Sequence, residues 1–591
     1  MLSSKTLVED YVRGHDWRVK ENASTPFSYG ALGKYILSEV QKDYWLREVY
    51  TPNIVDAYRD GSLHIHDLGG LTIYCCGYSL KLILLWGVKG VGNIPTSAPA
   101  KHFAAVINQL VNLTSVFQNE IMGAVAFSSV DTLLAPFIKE DELTYAEVRQ
   151  NVQNFVFSIN SNSRAGAEPA FSNITLDLTP PADLLNEKVI VGGKMLDYTY
   201  KECQREMDMF NKAFYEVMIE GDFDEVPFAY PIPTYNIHKR FDWDNKNNEL
   251  LWEMTGKYGT PYFANFGPHS DMDPADARSM CCRLRLDKRE LLRRGGGLFG
   301  AGDSTGSIGV VTLDLPRFGY CAKSKQQFFG DLEYFMDIAR DSLEIKRTYL
   351  EDEILGKDLL PAFSTYVGTL RSHFSTIGYV GMNEMCLNLL GYDIVDPRGK
   401  EFSLEVLEFM REKLREYQEQ TGNLYNLEAT PAESTCYRLA LKDRKMFPGI
   451  ITQGTEEAPY YTNSCHMPAS SMHTIQQITE HQEELQALHT GGTVIHYFLD
   501  GPIPAAAAKK IVQTVIAQSA TPYISLSPVN CFCPEHGMLA ATYDECPHCG
   551  VRTEKYQRIT GYRRNVDLFN PGKASEFKDR VQMKVLKDDN I

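Results

Sequence analysis

The stretch EKYQRITGYRRNVDLFNPGK, residues 554–573, places one of its two glycines, Gly561, among bulky and charged side chains. A glycine in such a segment usually marks a turn with a positive φ angle, which glycine adopts at no steric cost. A second interpretation is chemical. When glycine loses a Cα hydrogen atom, the radical can flatten and delocalise into both adjacent peptide groups, because no side chain opposes planarity. The stretch alone does not decide between the turn and the stored radical.

A stored radical needs a partner that exchanges a hydrogen atom with it. A cysteine thiol suits this exchange because its S–H bond is of comparable strength. The segment RSMCCRLRLD, residues 278–287, contains the adjacent pair Cys281 and Cys282. Neighbouring side chains of an extended segment point in opposite directions, so only one of the two can face a site. Cysteines also serve as small buried apolar residues, and spacing alone favours that structural role.

The composition is that of a large globular protein, with 591 residues, 43% hydrophobic and 23% charged. The formal net charge of -17 disfavours a duplex nucleic-acid binder, which needs a basic surface. The most apolar run, residues 80–92, is too short for a membrane span, and the N-terminus lacks an apolar signal core. We therefore expect a cytoplasmic protein whose 13 cysteines are thiols, metal ligands or catalytic groups.

Helical and strand-like patterns alternate over several hundred residues. Helices are predicted for residues 326–353, 403–422 and 503–520, and strands for 308–315, 493–499 and 522–527. This alternation predicts an α/β fold with a largely parallel, buried sheet, but does not distinguish a barrel from an open sheet. Beyond residue 528 long apolar runs stop and cysteines cluster. We therefore predict a large domain at 1–528 and a small metal-organised domain at 529–591.

The segment CFCPEHGMLAATYDECPHCG, residues 531–550, contains two pairs of potential metal ligands, each pair with two intervening residues. The four residues are Cys533, His536, Cys546 and Cys549. Two close pairs separated by a short loop are typical of a tetrahedral zinc site, here a structural one because no position is open. Cys531 and His548 are alternative ligands. Since zinc ribbons often bind nucleic acid, a nucleic-acid-binding module is an alternative function, which the acidic balance disfavours.

Several longer motifs resemble those of the anaerobic (class III) ribonucleotide reductases, the glycyl-radical enzymes that make deoxyribonucleotides. The resemblance covers nearly the whole chain. Besides the Cys/His tail, the motifs are DWRVKENAS (16–24), LHIHDLGG (63–70), SRAGAEPAFSNITLD (163–177), ARSMCCRLRLD (277–287), GGGLFGAGDSTGSIGVVTLDLPR (295–317), STIGYVGMNE (375–384), ATPAESTCYRLA (429–440) and RITGYRRNVDLFNPGKASEFKDR (558–580).

The resemblance implies a ten-stranded α/β barrel, a finger loop that carries a cysteine to its centre, and a C-terminal glycyl-radical loop beside it. Gly561 is then the radical store. Cys282 is the thiyl residue, with Cys281 pointing elsewhere. Cys75 corresponds to the family's reducing cysteine on an early strand, with Cys76 as the alternative. The Cys/His metal site would support the radical loop.

The resemblance also implies the chemistry. An activating enzyme with an iron–sulfur cluster and S-adenosylmethionine makes the radical on Gly561, which takes hydrogen from Cys282. The thiyl radical takes the 3′ hydrogen of a ribonucleoside triphosphate, and the 2′ hydroxyl leaves as water. Deoxynucleotide or ATP effectors and a homodimer are expected. The alternative enzyme is a glycyl-radical lyase of the pyruvate formate-lyase kind, which shares the barrel but has no reason to carry the metal tail.

Two positions bear on the reductant. Formate-using members of the family carry Asn where this chain has Ser307, so a thioredoxin- or glutaredoxin-like dithiol protein is expected instead of formate. Glu433 of TPAEST is the candidate acid/base group, and its alternative role is that of a helix-start residue.

The N-terminal region bears on regulation. Because the core motif begins at Asp16, we expect no ATP-cone domain before it and no control of overall activity through such a domain.

Overall fold

The computed structural model describes residues 3–14, 27–91, 94–161, 168–270 and 304–584. Strands in these ranges form one large sheet and three small ones. They are β1 (Leu63–Ile65), β2 (Cys75–Gly77), β3 (Val125–Phe127), β4 (Ser172–Leu176), β5 (Lys188–Val191), β6 (Lys194–Thr199), β7 (Ile232–His238), β8 (Tyr262–Phe266), β9 (Gly306–Asp314), β10 (His373–Val380), β11 (Leu424–Glu428), β12 (Gln453–Gly454), β13 (Pro459–Tyr460), β14 (Ile495–Leu499), β15 (Tyr523–Pro528), β16 (Asn530–Cys533), β17 (Gly537–Leu539), β18 (Glu554–Arg558) and β19 (Arg563–Asn565).

The α-helices of the same ranges connect and cover these strands. They are α1 (Ser4–Arg13), α2 (Tyr29–Tyr44), α3 (Pro52–Asp60), α4 (Leu80–Trp86), α5 (Phe103–Gln118), α6 (Val130–Glu140), α7 (Tyr145–Ile159), α8 (Gln204–Glu220), α9 (Glu249–Tyr258), α10 (Leu315–Cys321), α11 (Lys325–Tyr349), α12 (Pro361–Tyr366), α13 (Met382–Leu390), α14 (Pro397–Thr421), α15 (Glu433–Met446), α16 (Ile475–Ala487), α17 (Ala505–Gln518) and α18 (Pro571–Asp579). Within the described ranges, none of them combines the length and the hydropathy that a membrane span requires.

The large sheet is a barrel made of two halves. Strands β2, β3, β4, β7 and β8 run parallel, as do β9, β10 and β11, and also β14 and β15. The halves meet antiparallel where β2 pairs with β9 and where β8 pairs with β15. Backbone hydrogen bonds from Gly491 to Leu427 (2.7 Å) and from Ala429 to Gly492 (2.8 Å) join β11 to the segment that enters β14. The predicted ten-stranded α/β barrel is confirmed.

Strand β9 reads mainly as a run of apolar and small residues because both faces of the barrel wall are covered. All of β9 is buried. Outside it, α11 packs against β9 and β10. The buried stripe of α11 follows helical spacing and consists of Phe328, Leu332, Met336, Ala339 and Leu343. Full burial of each large apolar side chain contributes about 1.5–3 kcal/mol, which fixes the helix on the barrel wall.

The local sequence predictions hold, with one exception. The predicted strands correspond to β9, β14 and β15, and two of the predicted helices correspond to α11 and α17. Helix α14 ends where expected, with Gly422 in the left-handed conformation at φ 73°. Its start lies earlier than residue 403, because the Asp396 side chain accepts a hydrogen bond from the Arg398 N–H and Pro397 occupies the first turn.

The chain changes sheets at the end of the barrel. Strand β15 ends at Pro528, and β16 begins at Asn530 in a separate antiparallel sheet of order β17-β16-β18-β19. Gly561 lies in the loop of the β18–β19 hairpin, whose last strand pair is Arg558 with Arg563. The predicted boundary between a domain at 1–528 and a domain at 529–591 stays a prediction.

Candidate active site

The hairpin loop presents Gly561 to two separate parts of the barrel. The Gly561 N–H donates a hydrogen bond to Glu433 Oε1 at 2.9 Å, at the first residue of α15. The Gly561 carbonyl accepts one from the Tyr262 hydroxyl at 2.5 Å, at the first residue of β8, and one from Arg558 Nη1 at 3.4 Å. Side chains therefore hold both peptide groups of this residue.

Arg558 fixes the tyrosine that contacts Gly561. Its Nη1 donates to the Tyr262 hydroxyl, its Nη2 donates to the Gly259 carbonyl at 2.5 Å, and its guanidinium carbon lies 4.2 Å from the centre of the Tyr262 ring. Arg558 is 4% exposed and Tyr262 is 1% exposed. A guanidinium that both stacks on the ring and donates to its hydroxyl leaves Tyr262 one orientation.

The glycine is not explained by backbone strain. Gly561 is not among the described glycines that have a positive φ angle, so a left-handed turn does not require glycine at this place. Gly561 does lie in a turn, but the conformation of this turn does not explain why the residue is glycine.

The far side of the hairpin is held by the segment that follows α18. Arg580 donates from Nη1 to the Arg558 carbonyl at 2.9 Å and from Nη2 to the Ile559 carbonyl at 2.7 Å. Glu576 pairs with Arg580 at 2.7 Å and with Lys573 at 2.5 Å. Burial opposes the charge of Glu576, but these two cations hold its pKa at about 2. The ion pairs lock α18 behind the Gly561 loop.

Cys75 and Ser307 are cross-strand partners in the β2–β9 pair. Directly opposite residues of an antiparallel pair project to the same face of the sheet, so the two side chains are neighbours. Cys75 is 1% exposed, and its Sγ accepts a hydrogen bond from the Ala124 N–H at 3.3 Å. Cys76 belongs to the main hydrophobic core instead, and burial raises the pKa of its thiol. The structure therefore favours Cys75 over Cys76 as the cysteine beside Ser307.

The Ser307 hydroxyl already has partners within the sheet. It donates to the Gly309 carbonyl at 3.1 Å and lies 2.9 Å from Thr376 Oγ1. A serine hydroxyl has one hydrogen, so Thr376 is the donor in the second contact. An asparagine amide would offer two N–H donors, whereas the only hydroxyl hydrogen of Ser307 is already donated to the Gly309 carbonyl.

A buried cation that sequence analysis missed lies at the same seam. Lys346 of α11 is 3% exposed, and its Nζ lies 3.0 Å from where a Cβ on Gly309 would be. Burial lowers the pKa of Lys346 to about 8, and the charges of Asp67 and Cys75 act in the opposite direction. Its position could have been predicted, because Lys346 interrupts the apolar stripe of the predicted helix 326–353.

The motif LHIHDLGG also contributes polar groups to the barrel. His66 Nε2 lies 2.8 Å from Thr312 Oγ1, and Arg438 donates to His64 Nδ1 at 2.8 Å. Burial lowers the pKa of His64, and burial with the nearby charge of Arg438 lowers that of His66 to about 3. Both imidazoles are therefore neutral at pH 7. Arg438 connects this motif with the motif of Glu433.

A cavity of about 110 Å³ lies beside the hairpin loop. Its lining includes Thr560, Asn463, His466 and His496. Ligand pockets usually have volumes of about 300–1,000 Å³, so this cavity is too small for a nucleotide.

The four predicted metal ligands lie together. Their ligand atoms are all within 4.8 Å of one another. Cys533 Sγ lies 3.5 Å from Cys549 Sγ and 3.6 Å from His536 Nδ1, and Cys546 Sγ lies 3.7 Å from His536 Nδ1. In a tetrahedral site with Zn–S of about 2.3 Å and Zn–N of about 2.1 Å, neighbouring ligand atoms are about 3.5–3.8 Å apart. The residues present fit a zinc ion.

The alternative ligands do not join this group. The Cys531 thiol donates to the Tyr543 carbonyl at 3.3 Å. The centres of the His548 and His536 rings lie 5.3 Å apart. The CPHCG turn closes with a hydrogen bond from the Gly550 N–H to the Cys546 carbonyl and with Gly550 at φ 73°, a conformation that favours glycine. Cys281 and Cys282 lie outside the described residues, so the contact between Cys282 and Gly561 stays a prediction.

The fold is that of the anaerobic ribonucleotide reductases. A solved anaerobic ribonucleotide reductase superposes with a TM-score of 0.79 at 20% identity, over 98% of this chain and 93% of that chain. The enzyme from Thermotoga maritima in complex with dATP and CTP superposes with a TM-score of 0.74 at 19% identity, over 95% of this chain and 92% of that chain.

Residues 21–583 match the family described as anaerobic ribonucleoside-triphosphate reductase, and the chain belongs to this family. A relative with that name from Haemophilus influenzae is 23% identical over 92% of this chain and 80% of its own length. The protein is therefore an oxidoreductase, and the lyase considered from the sequence is set aside.

Proposed function

We propose that this chain reduces ribonucleoside triphosphates to 2′-deoxyribonucleoside triphosphates by a radical stored on Gly561 and passed to Cys282. The observation that carries the proposal is the placement of Gly561, which belongs to a loop held against the barrel by Glu433 and Tyr262. The product supplies DNA synthesis. The predicted cytoplasmic location belongs to the same proposal.

Atoms and electrons balance over the proposed cycle. An activating enzyme with an iron–sulfur cluster and S-adenosylmethionine removes one hydrogen atom from Gly561. The Gly561 radical takes the thiol hydrogen atom of Cys282, and the resulting thiyl radical takes the 3′ hydrogen of the substrate. The 2′ hydroxyl leaves with a proton as water. The sugar radical left after water departs needs three hydrogen atoms to become the deoxyribonucleotide. Two come from the thiols of Cys75 and Cys282, which become a disulfide, and the third is the hydrogen atom that Gly561 took at the start, so the radical is again on Gly561.

Among the barrel residues, Cys75 is proposed as the reducing cysteine. Glu433 remains the candidate acid/base group, and its contact with the Gly561 N–H gives it a further role toward the radical loop. The barrel contributes mainly by holding these groups in reacting geometry and by excluding water.

The metal site is proposed to hold one structural zinc ion. Cys533, His536, Cys546 and Cys549 would hold it, and three thiolates with one imidazole leave no open position for catalysis. When bound, the ion cross-links β16 to the CPHCG turn. Because β16 also pairs with β18, this cross-link supports the strand that leads into the Gly561 loop.

The proposed partners follow from the family and its solved members. The Thermotoga maritima enzyme has been solved in complex with dATP and CTP, and also with dATP bound in its specificity site. We propose deoxynucleotide or ATP effectors for this chain, an activating enzyme of the class described above, and a homodimer. A thioredoxin- or glutaredoxin-like protein is the proposed reductant.

The proposal is tested with full-length protein activated anaerobically by an iron–sulfur, S-adenosylmethionine-dependent enzyme. Activated protein should show a glycyl radical by electron paramagnetic resonance and convert CTP to dCTP. Gly561→Ala should lose both the signal and the product while retaining the thermal unfolding profile of the wild type. Product formation by Gly561→Ala at the wild-type rate would exclude Gly561 as the radical store.

A further inference from the structure

We propose that Glu433, Tyr262 and Arg558 tune the Gly561 radical by polarising both of its peptide groups in the same direction. The inference rests on the proposed function, since it presupposes a radical at Gly561. Glu433 acts on the N–H side through the 2.9 Å hydrogen bond, and Tyr262 acts on the carbonyl side at 2.5 Å with Arg558 at 3.4 Å. They are positioning residues that act through the glycine.

The physical basis is the electron distribution of a glycyl radical. The unpaired electron on Cα is shared with the nitrogen on one side, which donates electron density, and with the carbonyl on the other, which withdraws it. An acceptor on the N–H increases the donation. Donors on the carbonyl increase the withdrawal. The two sets of hydrogen bonds therefore act in the same sense and stabilise the planar radical more than the hydrogenated glycine.

The directions of these hydrogen bonds are fixed by the groups that form them. Arg558 can only donate, so the Tyr262 hydroxyl accepts from it and directs its own hydrogen to the Gly561 carbonyl. Donation from the guanidinium makes that hydroxyl a stronger donor. Glu433 is the first residue of α15, where the helix dipole favours the ionised carboxylate that accepts from the Gly561 N–H.

The burial of these groups makes the effect larger than at a surface. Tyr262 and Arg558 are 1% and 4% exposed, and Arg558 is held independently by the Gly259 carbonyl. In such an environment hydrogen bonds polarise one another more strongly than in water. Arg580 holds the backbone of Arg558 and Ile559 from the far side, so the loop does not move away from the two barrel side chains.

The test compares activated full-length variants by electron paramagnetic resonance under strict anaerobiosis. Tyr262→Phe removes one donor without changing the ring, and Glu433→Gln removes the charge but keeps an acceptor oxygen. Tyr556→Phe is the matched control, because Tyr556 lies on the same hairpin and donates to Glu554 instead of Gly561.

The expected result is a change in the spectrum of the radical. Less delocalisation concentrates spin on Cα, so the hyperfine splitting from the remaining α hydrogen should increase in Tyr262→Phe and Glu433→Gln. Radical lifetime should fall about 3- to 10-fold, as expected for the loss or weakening of one ordinary hydrogen bond.

The outcomes separate this inference from the proposed function. A wild-type chain without a glycyl radical contradicts the proposed function itself. Wild-type radical with unchanged splitting in both variants overturns the tuning role and leaves radical storage intact. A shorter lifetime with unchanged splitting also overturns it, because a loosened hairpin would suffice to produce that result. Increased splitting in both variants, with wild-type splitting in Tyr556→Phe, supports the inference.

Discussion

Cys75 and Ser307 lie directly opposite each other on β2 and β9, at the antiparallel seam between the two parallel halves of the barrel. The thiol of Cys75 is therefore next to a hydroxyl whose only hydrogen is donated to the Gly309 carbonyl. A small carboxylate such as formate would find no spare donor on Ser307. A disulfide that includes Cys75 would instead be reduced by exchange with an external dithiol.

The first prediction concerns the source of electrons. A thioredoxin- or glutaredoxin-like protein should support many turnovers, and formate should not. Cys75→Ser should block turnover, because without this thiol the cysteine pair can neither supply the two electrons of a cycle nor form the disulfide that the partner reduces. The measurement is dNTP yield per radical with each reductant alone. Cys76→Ser, on the same strand but in the hydrophobic core, should retain multiple turnover. Many turnovers on formate without a thiol would show that Ser307 can replace the amide.

The barrel wall could be predicted from sequence because its strands are covered on both faces. Strands such as β9 are buried throughout and read as continuous apolar runs, and α11 carries a regular apolar stripe. The metal ligands could be predicted because their spacing is local. The start of α14 could also have been predicted from Asp396 and Pro397, which form a standard helix beginning.

The partners of Gly561 could not be predicted in the same way. Tyr262 and Arg558 are 296 positions apart in sequence, and neither stands in a locally unusual pattern. Their contact exists only because the last barrel strands bring the tail back to β8. Glu433 was found from its motif, but its contact with the Gly561 N–H depends on the same return of the chain.

The second prediction separates radical storage from radical transfer. Cys282→Ser should keep the glycyl radical, because the Gly561 loop is unchanged, and should lose dNTP formation by about 10³-fold or more because a hydroxyl O–H bond is too strong to exchange hydrogen with Gly561. Spin per chain and dNTP rate are measured on the same sample. Cys281→Ser is the matched neighbour and should retain activity. An active Cys282→Ser with an inactive Cys281→Ser would move the assignment to Cys281.

The third prediction concerns the metal. Purified protein should contain about one zinc ion per chain, and Cys546→Ser should lose it. The β17-β16-β18-β19 sheet holds the β18–β19 hairpin that carries Gly561. The radical yield after activation should therefore fall several-fold, while the barrel keeps its circular dichroism spectrum. Cys531→Ser is the control, since this thiol bonds to the backbone of Tyr543 and not to the ligand group. Full activation of zinc-free protein would contradict a supporting role for the ion.

The last prediction concerns the buried charge of Lys346. Its pKa in the folded protein, about 8, is below the ordinary value of 10.5, so folding disfavours the protonated form. The penalty is complete below pH 8 and decreases as the pH rises from 8 toward 10.5, where the unfolded chain also loses its proton. Stability of the wild type relative to Lys346→Met should therefore increase over this range, by at most about 3 kcal/mol.

The measurement is the difference in apparent unfolding temperature between wild type and Lys346→Met at several pH values from 7 to 10, without oxygen. Loss of the cation near Asp67 and Cys75 adds an offset to this difference, so the test reads the trend with pH and not the absolute value. Lys325→Met, which removes a half-exposed lysine at the start of the same helix α11, is the matched control. A difference for Lys346→Met that is constant with pH would show that Lys346 keeps its proton throughout this range.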